Sequence, residues 1–259
     1  MKIPFLEYQS ALAYNRQVFL IEHADLLKVF LAIDANFDTL IELPRTRRDG
    51  QGHSHVSLAP LLLLLRRQTH TAFDVLSADQ SYHAWLLLRP GLEAALVIGK
   101  WVYDPQNAKI WQERTKDPKA FRAAYTGRGL CSASLPSSNR IQAVLGTIND
   151  RFVHANLDYY HRHLNVGPGD PGHVSVVLSY FEDDPLQVAN TFAFLHLLLI
   201  VQEALLALFN RLFGSSENLP SPLTLFQNSF AKRIDDLARS NDVYRDVLAE
   251  LGSWTVERA

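Results

Sequence analysis

The chain has one cysteine, Cys131, in 259 residues, so no internal disulfide can form and nothing in it calls for an oxidising compartment. It has no surplus of either charge. Its 25 basic and 27 acidic residues leave a net charge of -2, without the basic excess that a generalised nucleic-acid surface needs to displace phosphate counterions. The opening Met-Lys-Ile-Pro-Phe-Leu-Glu-Tyr lacks the long apolar core and cleavage site of a signal peptide. The most hydrophobic stretch, Ala189 to Phe213, is interrupted by His196, Gln202, Glu203, Asn210 and Arg211, which suits a buried helix better than a membrane span. A cytoplasmic location with no membrane partner is the expectation.

Motifs that announce chemistry are also scarce. There is no His-Glu-x-x-His, and none of the Glu-x-x-His pairs used by carboxylate-bridged bundles, so no metal site is expected. The Gly-x-Ser-x-Gly nucleophile elbow is missing. The glycine-rich stretch Gly167 to Gly172 has no phosphate-loop Lys-Ser/Thr, and no cofactor is expected. No motif of nucleophilic cysteines surrounds Cys131.

What the chain does have is 47% apolar residues arranged mostly at helical spacing. The pattern predicts one long helix from about Ser10 to Leu43, stopped by Pro44, then a loop from Arg45 to His55. Helices are expected over Leu58 to Leu76, over Gln80 to Tyr103 with a kink at Pro90-Gly91, over Pro105 to Thr115 and over Pro118 to Tyr125. Two more cover Asp184-Pro185 to Phe213 and about Pro222 to Trp254, the last broken near Ser240-Asn241. Val174 to Phe181 has the β-branched and aromatic density of a strand, with Leu130 to Leu135 as its nearest candidate partner. The fold class is mostly α: a single domain over residues 1–259, a bundle of about 7–8 helices with one short strand or a two-stranded β element.

Residues 137–165 read as a helix with two dedicated faces. Ile141, Leu145, Ile148, Phe152, Ala155 and Tyr159 form an apolar stripe, and Asp150, His154, Asp158 and His161 recur on the opposite side. Two other helices carry polar lines. Tyr82, Arg89, Glu93 and Lys100 follow one another along the third helix, and His196, Glu203 and Asn210 fall seven apart on the helix after Pro185. Arg89 and Glu93, four apart, are expected to pair, since an isolated buried charge costs several kcal/mol. A solvated face or a satisfied interhelical network is the plain reading of each line; a site where the lines converge is the functional one. The loop residues Arg45, Arg47, Arg48, His53 and His55 offer phosphate or RNA-backbone contacts, against the plainer reading of a solvated connection.

Leu88-Arg89-Pro90-Gly91-Leu92-Glu93, on a helix closing at Tyr103-Asp104-Pro105, and Asn149-Asp150-Arg151-Phe152-Val153-His154, followed by a short strand, resemble stretches of the HEPN-like helical proteins of bacteria, including uncharacterised families. The resemblance covers roughly residues 60 to 205. It implies a helical, dimeric protein in which Arg89, Glu93, Asn149 and His154 face one another. Members that cut RNA carry an Arg, four to six residues, then a His. Arg151 and His154 have only two residues between them, whereas Arg16 to His23 and Arg48 to His53 match by spacing alone.

Three functions follow as expectations. The first is a non-enzymatic binding, sensor or accessory module of a defence or stress system, taking a small molecule, RNA or protein partner through Arg89, Glu93, Asn149, Asp150, His196 and Glu203. The second is an RNA- or phosphate-directed hydrolase, with His154 as acid/base and Arg151 or Arg89 stabilising negative charge. The third is a structural homo-oligomer with an exposed apolar face.

Overall fold

A computed structural model of the chain describes residues 5–131, 134–153, 164–168, 174–178, 181, 183–214 and 222–254. Among the described residues the chain forms ten α-helices: α1 (Phe5–Glu22), α2 (Ala24–Thr46), α3 (Ala59–Leu76), α4 (Ser81–Tyr103), α5 (Gln106–Gln112), α6 (Pro118–Tyr125), α7 (Ser138–Ile148), α8 (Asp184–Phe213), α9 (Pro222–Ser240) and α10 (Asp242–Glu250). The mostly α bundle is as expected, with two more helices than the eight helical stretches read from the sequence. One comes from the expected break at Asn241, whose side chain caps α10 by accepting from the Val243 N–H at 2.8 Å. The other comes from a break at His23 in what periodicity reads as one helix.

At this second break part of the backbone ladder is kept. His23 leaves helical geometry at φ -113, ψ 41, yet its carbonyl still accepts from Leu26 and Leu27 at 3.0 and 3.1 Å. The two sides then differ in burial. Phe19 is the buried residue of α1, whereas α2 buries Leu26, Phe30, Ile33, Phe37, Leu40, Ile41 and Pro44. Pro44 falls inside the last turn of α2 rather than ending it, and the helix stops two residues later at Thr46. Pro90 likewise lies inside α4, which runs through it unbroken. The neighbouring Gly91 has a reason in packing: a Cβ there would meet Leu65 Cδ1 of α3 at 3.0 Å, so glycine lets the α3–α4 hairpin close.

The expected strand is Val174–Leu178, and its partner is not Leu130 to Leu135. It pairs antiparallel with Leu164–Pro168, in register Leu164 to Leu178 and Pro168 to Val174. Leu130 instead ends a 3₁₀ turn, Gly127–Leu130. A hairpin connects its strands by the shortest route, which the distant segment did not offer. The stretch Gly167 to Gly172 spells Gly-x-Gly-x-x-Gly, but its first two residues belong to the strand Leu164–Pro168 and the next described element is the antiparallel strand Val174–Leu178, not the helix N-terminus that would hold a phosphate. Of the expected helix over 137–165, the described residues form α7 to Ile148 and one π-turn, Asn149–Val153; 154–163 lie outside the described residues, and Leu164 and Asn165 belong to the first strand.

Helix α8 is the axis of the bundle. Its 30 residues are the helix among those described that is long and apolar enough to cross a membrane, but 83% of its most apolar window is buried against other helices. Four buried polar residues on it reach four neighbours. Gln187 donates to the Leu76 carbonyl ending α3 at 3.1 Å, and Asn190 accepts from Trp85 of α4 at 2.8 Å. Gln202 donates to the Ile33 carbonyl of α2 at 2.6 Å, and His196 meets the Gly252 carbonyl after α10 at 2.5 Å. Each bond has one satisfactory position along the axis, so together they set how far each neighbour slides on an otherwise greasy rod.

Two glycines should respond oppositely to alanine. At Gly252 a Cβ would lie 2.7 Å from Leu248 O and 2.8 Å from Ala193 Cα, both backbone atoms, so Gly252→Ala should cost roughly 2 kcal/mol or more. At Gly146, inside α7 with open space around it, Gly146→Ala should gain about 0.5–1 kcal/mol. Urea unfolding of both variants checks the pair; equal effects of one sign would contradict this packing.

Candidate functional site

The residues singled out in the sequence go to several places. Arg89 and Glu93 pair on α4 at 3.1 Å, but their side chains are 36% and 40% exposed. An exposed i, i+4 pair is worth about 0.3–0.5 kcal/mol, not the several of a buried one. The Arg89 Nε atom itself is enclosed and meets Glu93 at ion-pair distance without a well-directed hydrogen bond. Arg151, in the π-turn, pairs with Glu250 of α10. Asp150 is exposed, and the Asn149 side-chain oxygen is enclosed with no donor among the described residues. Tyr82 ties this turn to α4 by donating to the Phe152 carbonyl at 2.6 Å. His154 lies outside the described residues, as do Asp158 and His161.

His196 and Glu203 belong to a different region, against α9 and α10. His196 Nδ1 donates to the Gly252 carbonyl, and its Nε2 accepts from Gln227 at 3.1 Å. Trp254 stands edge-on at 4.6 Å and Phe226 stacks at 6.1 Å between ring centres. Burial pushes the ring's pKa down to about 4, so it is neutral at physiological pH with both nitrogens engaged. Glu203 accepts from the Leu223 N–H in the first turn of α9 at 3.3 Å, a capping contact. On the far side of α4, Lys100 is held by the Ala124 and Gly129 carbonyls at 2.7 and 2.6 Å, over the Tyr125 ring.

The two Arg-to-His spacings are absorbed in the same manner. Arg16 pairs with Asp74 at 2.9 Å, away from the partners of His23. In the basic loop, Asp49 accepts from the Gln51 and His53 N–H groups and faces the His53 and His55 rings. The His55 contact, then the backbone bond from His53, hold its carboxyl well below the usual range. Asp49 thus organises the loop internally.

Two features that sequence reasoning missed lie side by side. The first is a polar junction where the α1–α2 break meets the start of α8. His23, buried, bonds Asp184 through Nε2 at 3.0 Å and Arg233 of α9 through Nδ1 at 3.2 Å; Arg233 also holds Asp25 at 3.0 Å and lies over the Phe192 ring. Nδ1 can only accept from a guanidinium, so Nε2 carries the proton and donates to Asp184. Glu22, His23 and Asp184 bring possible ligand atoms within 4.8 Å of one another. A metal on Nε2 would move the ring proton to Nδ1, against Arg233, so the junction is built as an ion-pair latch. Nearby Asp79 turns the α3–α4 corner at φ 61, and burial, then the charge of Asp184, push its carboxyl up to about 6. The signal was legible: Phe19, His23, Leu26 and Phe30 share the buried stripe, which makes His23 an ionisable residue on an apolar face.

The second is an apolar groove of about 260 Å³ between α2, α8 and α9. Val29, Ala32 and Ile33 form one wall, Leu225, Phe226 and Phe230 the other, with Leu199 between them. The Asp25–Arg233 contact at one end sets α2 and α9 antiparallel: α2 advances from Lys28 to Asn36 while α9 runs back from Phe230 to Pro222. Asn36 donates one of its two amide hydrogens to Gln202 Oε1 at 3.3 Å. No protein-family model, curated protein or solved structure matches this chain.

Two titrations give opposite pH dependences. Folded Asp79 holds its proton to about pH 6, against an ordinary 3.8, so stability falls as pH rises through that window. Asn tolerates the same left-handed backbone, so Asp79→Asn should raise the melting temperature at pH 8 and leave it unchanged at pH 4; no gain at pH 8 would contradict the raised carboxyl. His196 resists protonation down to about pH 4 where the unfolded chain accepts it at 6.5, so stability falls as pH drops through that interval. His196→Ala should cost about 2–4 kcal/mol at pH 7 from lost bonds and packing, with a smaller gap between variant and parent at pH 5.

Proposed function

We propose that the chain is a non-enzymatic helical binding module whose ligand seat is the groove between α2, α8 and α9. The carrying observation is the groove itself: a concave surface of about 260 Å³ with aliphatic and aromatic walls, lying between helices of a bundle, where small-molecule sites recur. Its size is a little below the ~300–1,000 Å³ of drug-sized pockets, which points to a small and largely apolar ligand. The groove also shares a border with the ion-pair latch. Lys28 and Phe230 line it, and Asp25 and Arg233 stand one helical turn further along the same two helices. Occupancy that shifted α9 would bear on the bonds of Arg233 to His23 and Asp25, which is how a sensor or accessory component would pass on a binding event. A cytoplasmic location belongs to the same proposal.

Ala32 is exposed on α2 and lines the groove, so a larger side chain there fills the seat from the solvent side without entering the core. Ligand-observed NMR with 1-octanol as a neutral apolar probe should show binding to the parent chain and at least tenfold weaker binding to Ala32→Trp, with unchanged circular dichroism. Absence of binding to the parent, or equal binding to both, would overturn the proposal.

A further inference from the structure

We infer that the groove's ligand is a medium-chain fatty acid, its carboxylate at Lys28 and its alkyl chain running toward Asn36; this rests on the groove being a ligand seat. Length comes first. Lys28 to Asn36 on one wall and Pro222 to Phe230 on the other each span eight residue steps, or about 12 Å at 1.5 Å per residue. An extended alkyl chain advances about 1.25 Å per carbon, from bonds of about 1.5 Å, so that length holds roughly eight to ten carbons.

Polarity sets the direction. The lining is aliphatic and aromatic except for Lys28, Asn36 and Ser229. Lys28 and Ser229 lie toward the Asp25–Arg233 end, and Asn36 with Pro222 at the other. Lys28 is an exposed ammonium with no ion-pair partner among the described residues. Its nearest acid in sequence, Asp25, is taken: one carboxylate oxygen accepts from Arg233 and the other from the Leu26 N–H. The latch therefore leaves one cation unmatched at the mouth of an apolar slot. At the opposite end the lining polar group is the neutral Asn36 amide, which donates to Gln202 Oε1 while Gln202 donates to the Ile33 carbonyl, so the charge on the lining is at the Lys28 end. One anionic head, one apolar tail and a defined length describe a monocarboxylate of this class. Phe230 is only partly buried and packs in tilted contact with Phe192 and Phe226 at 5.5 and 5.2 Å between ring centres, giving the alkyl chain an aromatic wall to lie against.

The test is calorimetric titration of the parent chain, Lys28→Glu and Ala32→Trp with octanoate, octylamine and 1-octanol, then with acids of six to fourteen carbons. Octanoate should bind the parent about fivefold or more tightly than octylamine, and Lys28→Glu should reverse that order. Affinity should rise about fourfold per methylene up to eight to ten carbons and then level off. Raised salt should narrow the acid–amine ratio. A ratio near one in the parent, or one unmoved by Lys28→Glu, overturns the fatty-acid assignment. If 1-octanol still binds and Ala32→Trp still blocks it, the groove stands as a seat for a neutral ligand; if nothing binds, both readings fall.

Discussion

The bundle depends on α8 being buried on nearly every side while carrying a few polar groups that must still be satisfied. Removing apolar surface from water holds the other helices against it, but that force has no preferred register along a smooth apolar rod. Gln187, Asn190, His196 and Gln202 supply the register, because a buried amide or imidazole left without its partner costs about as much as several methylenes gain. The polar line His196, Glu203 and Asn210 thus has a structural meaning in its first two members. One clamps the end of α10, and the other caps the start of α9.

The same requirement shapes the latch. His23, just before α2, continues its buried stripe, and each ring nitrogen there needs a partner; Asp184 of α8 and Arg233 of α9 provide them. Satisfying His23 engages Arg233, Arg233 engages Asp25, and Asp25 is then lost to Lys28 three residues on. A packing constraint at the helix break thereby leaves a free charge one turn away at the groove. The surface feature with the clearest binding character is, on this account, a by-product of how the core satisfies its polar groups.

Much of the secondary structure was legible because it follows from local rules. Prolines at first helical turns marked α3 and α6, Asp184-Pro185 marked α8, and Ser240-Asn241 marked the division of the last helical stretch. The break at His23 was not legible, since the apolar spacing runs through it and the cause is a tertiary capture of the ring. The strand's partner was missed because pairing depends on which segment the chain brings alongside, which composition does not encode. Arg89 and Glu93 were identified as a pair from spacing alone, but their exposure was not, since spacing on one helix says nothing about what covers it.

By itself, the sequence determined the class and the parts: apolar residues at helical spacing, punctuated by proline, glycine and capping residues, make a mostly α bundle with one β element whatever the packing. Only the tertiary structure decided which polar residues would be bonded and which left free. That outcome depends on contacts between residues far apart in the chain, such as His23 with Asp184 and Arg233, and on walls assembled from three separate helices. Local preferences act within a few residues, whereas a binding surface is set by what remains unmatched after the whole core has packed.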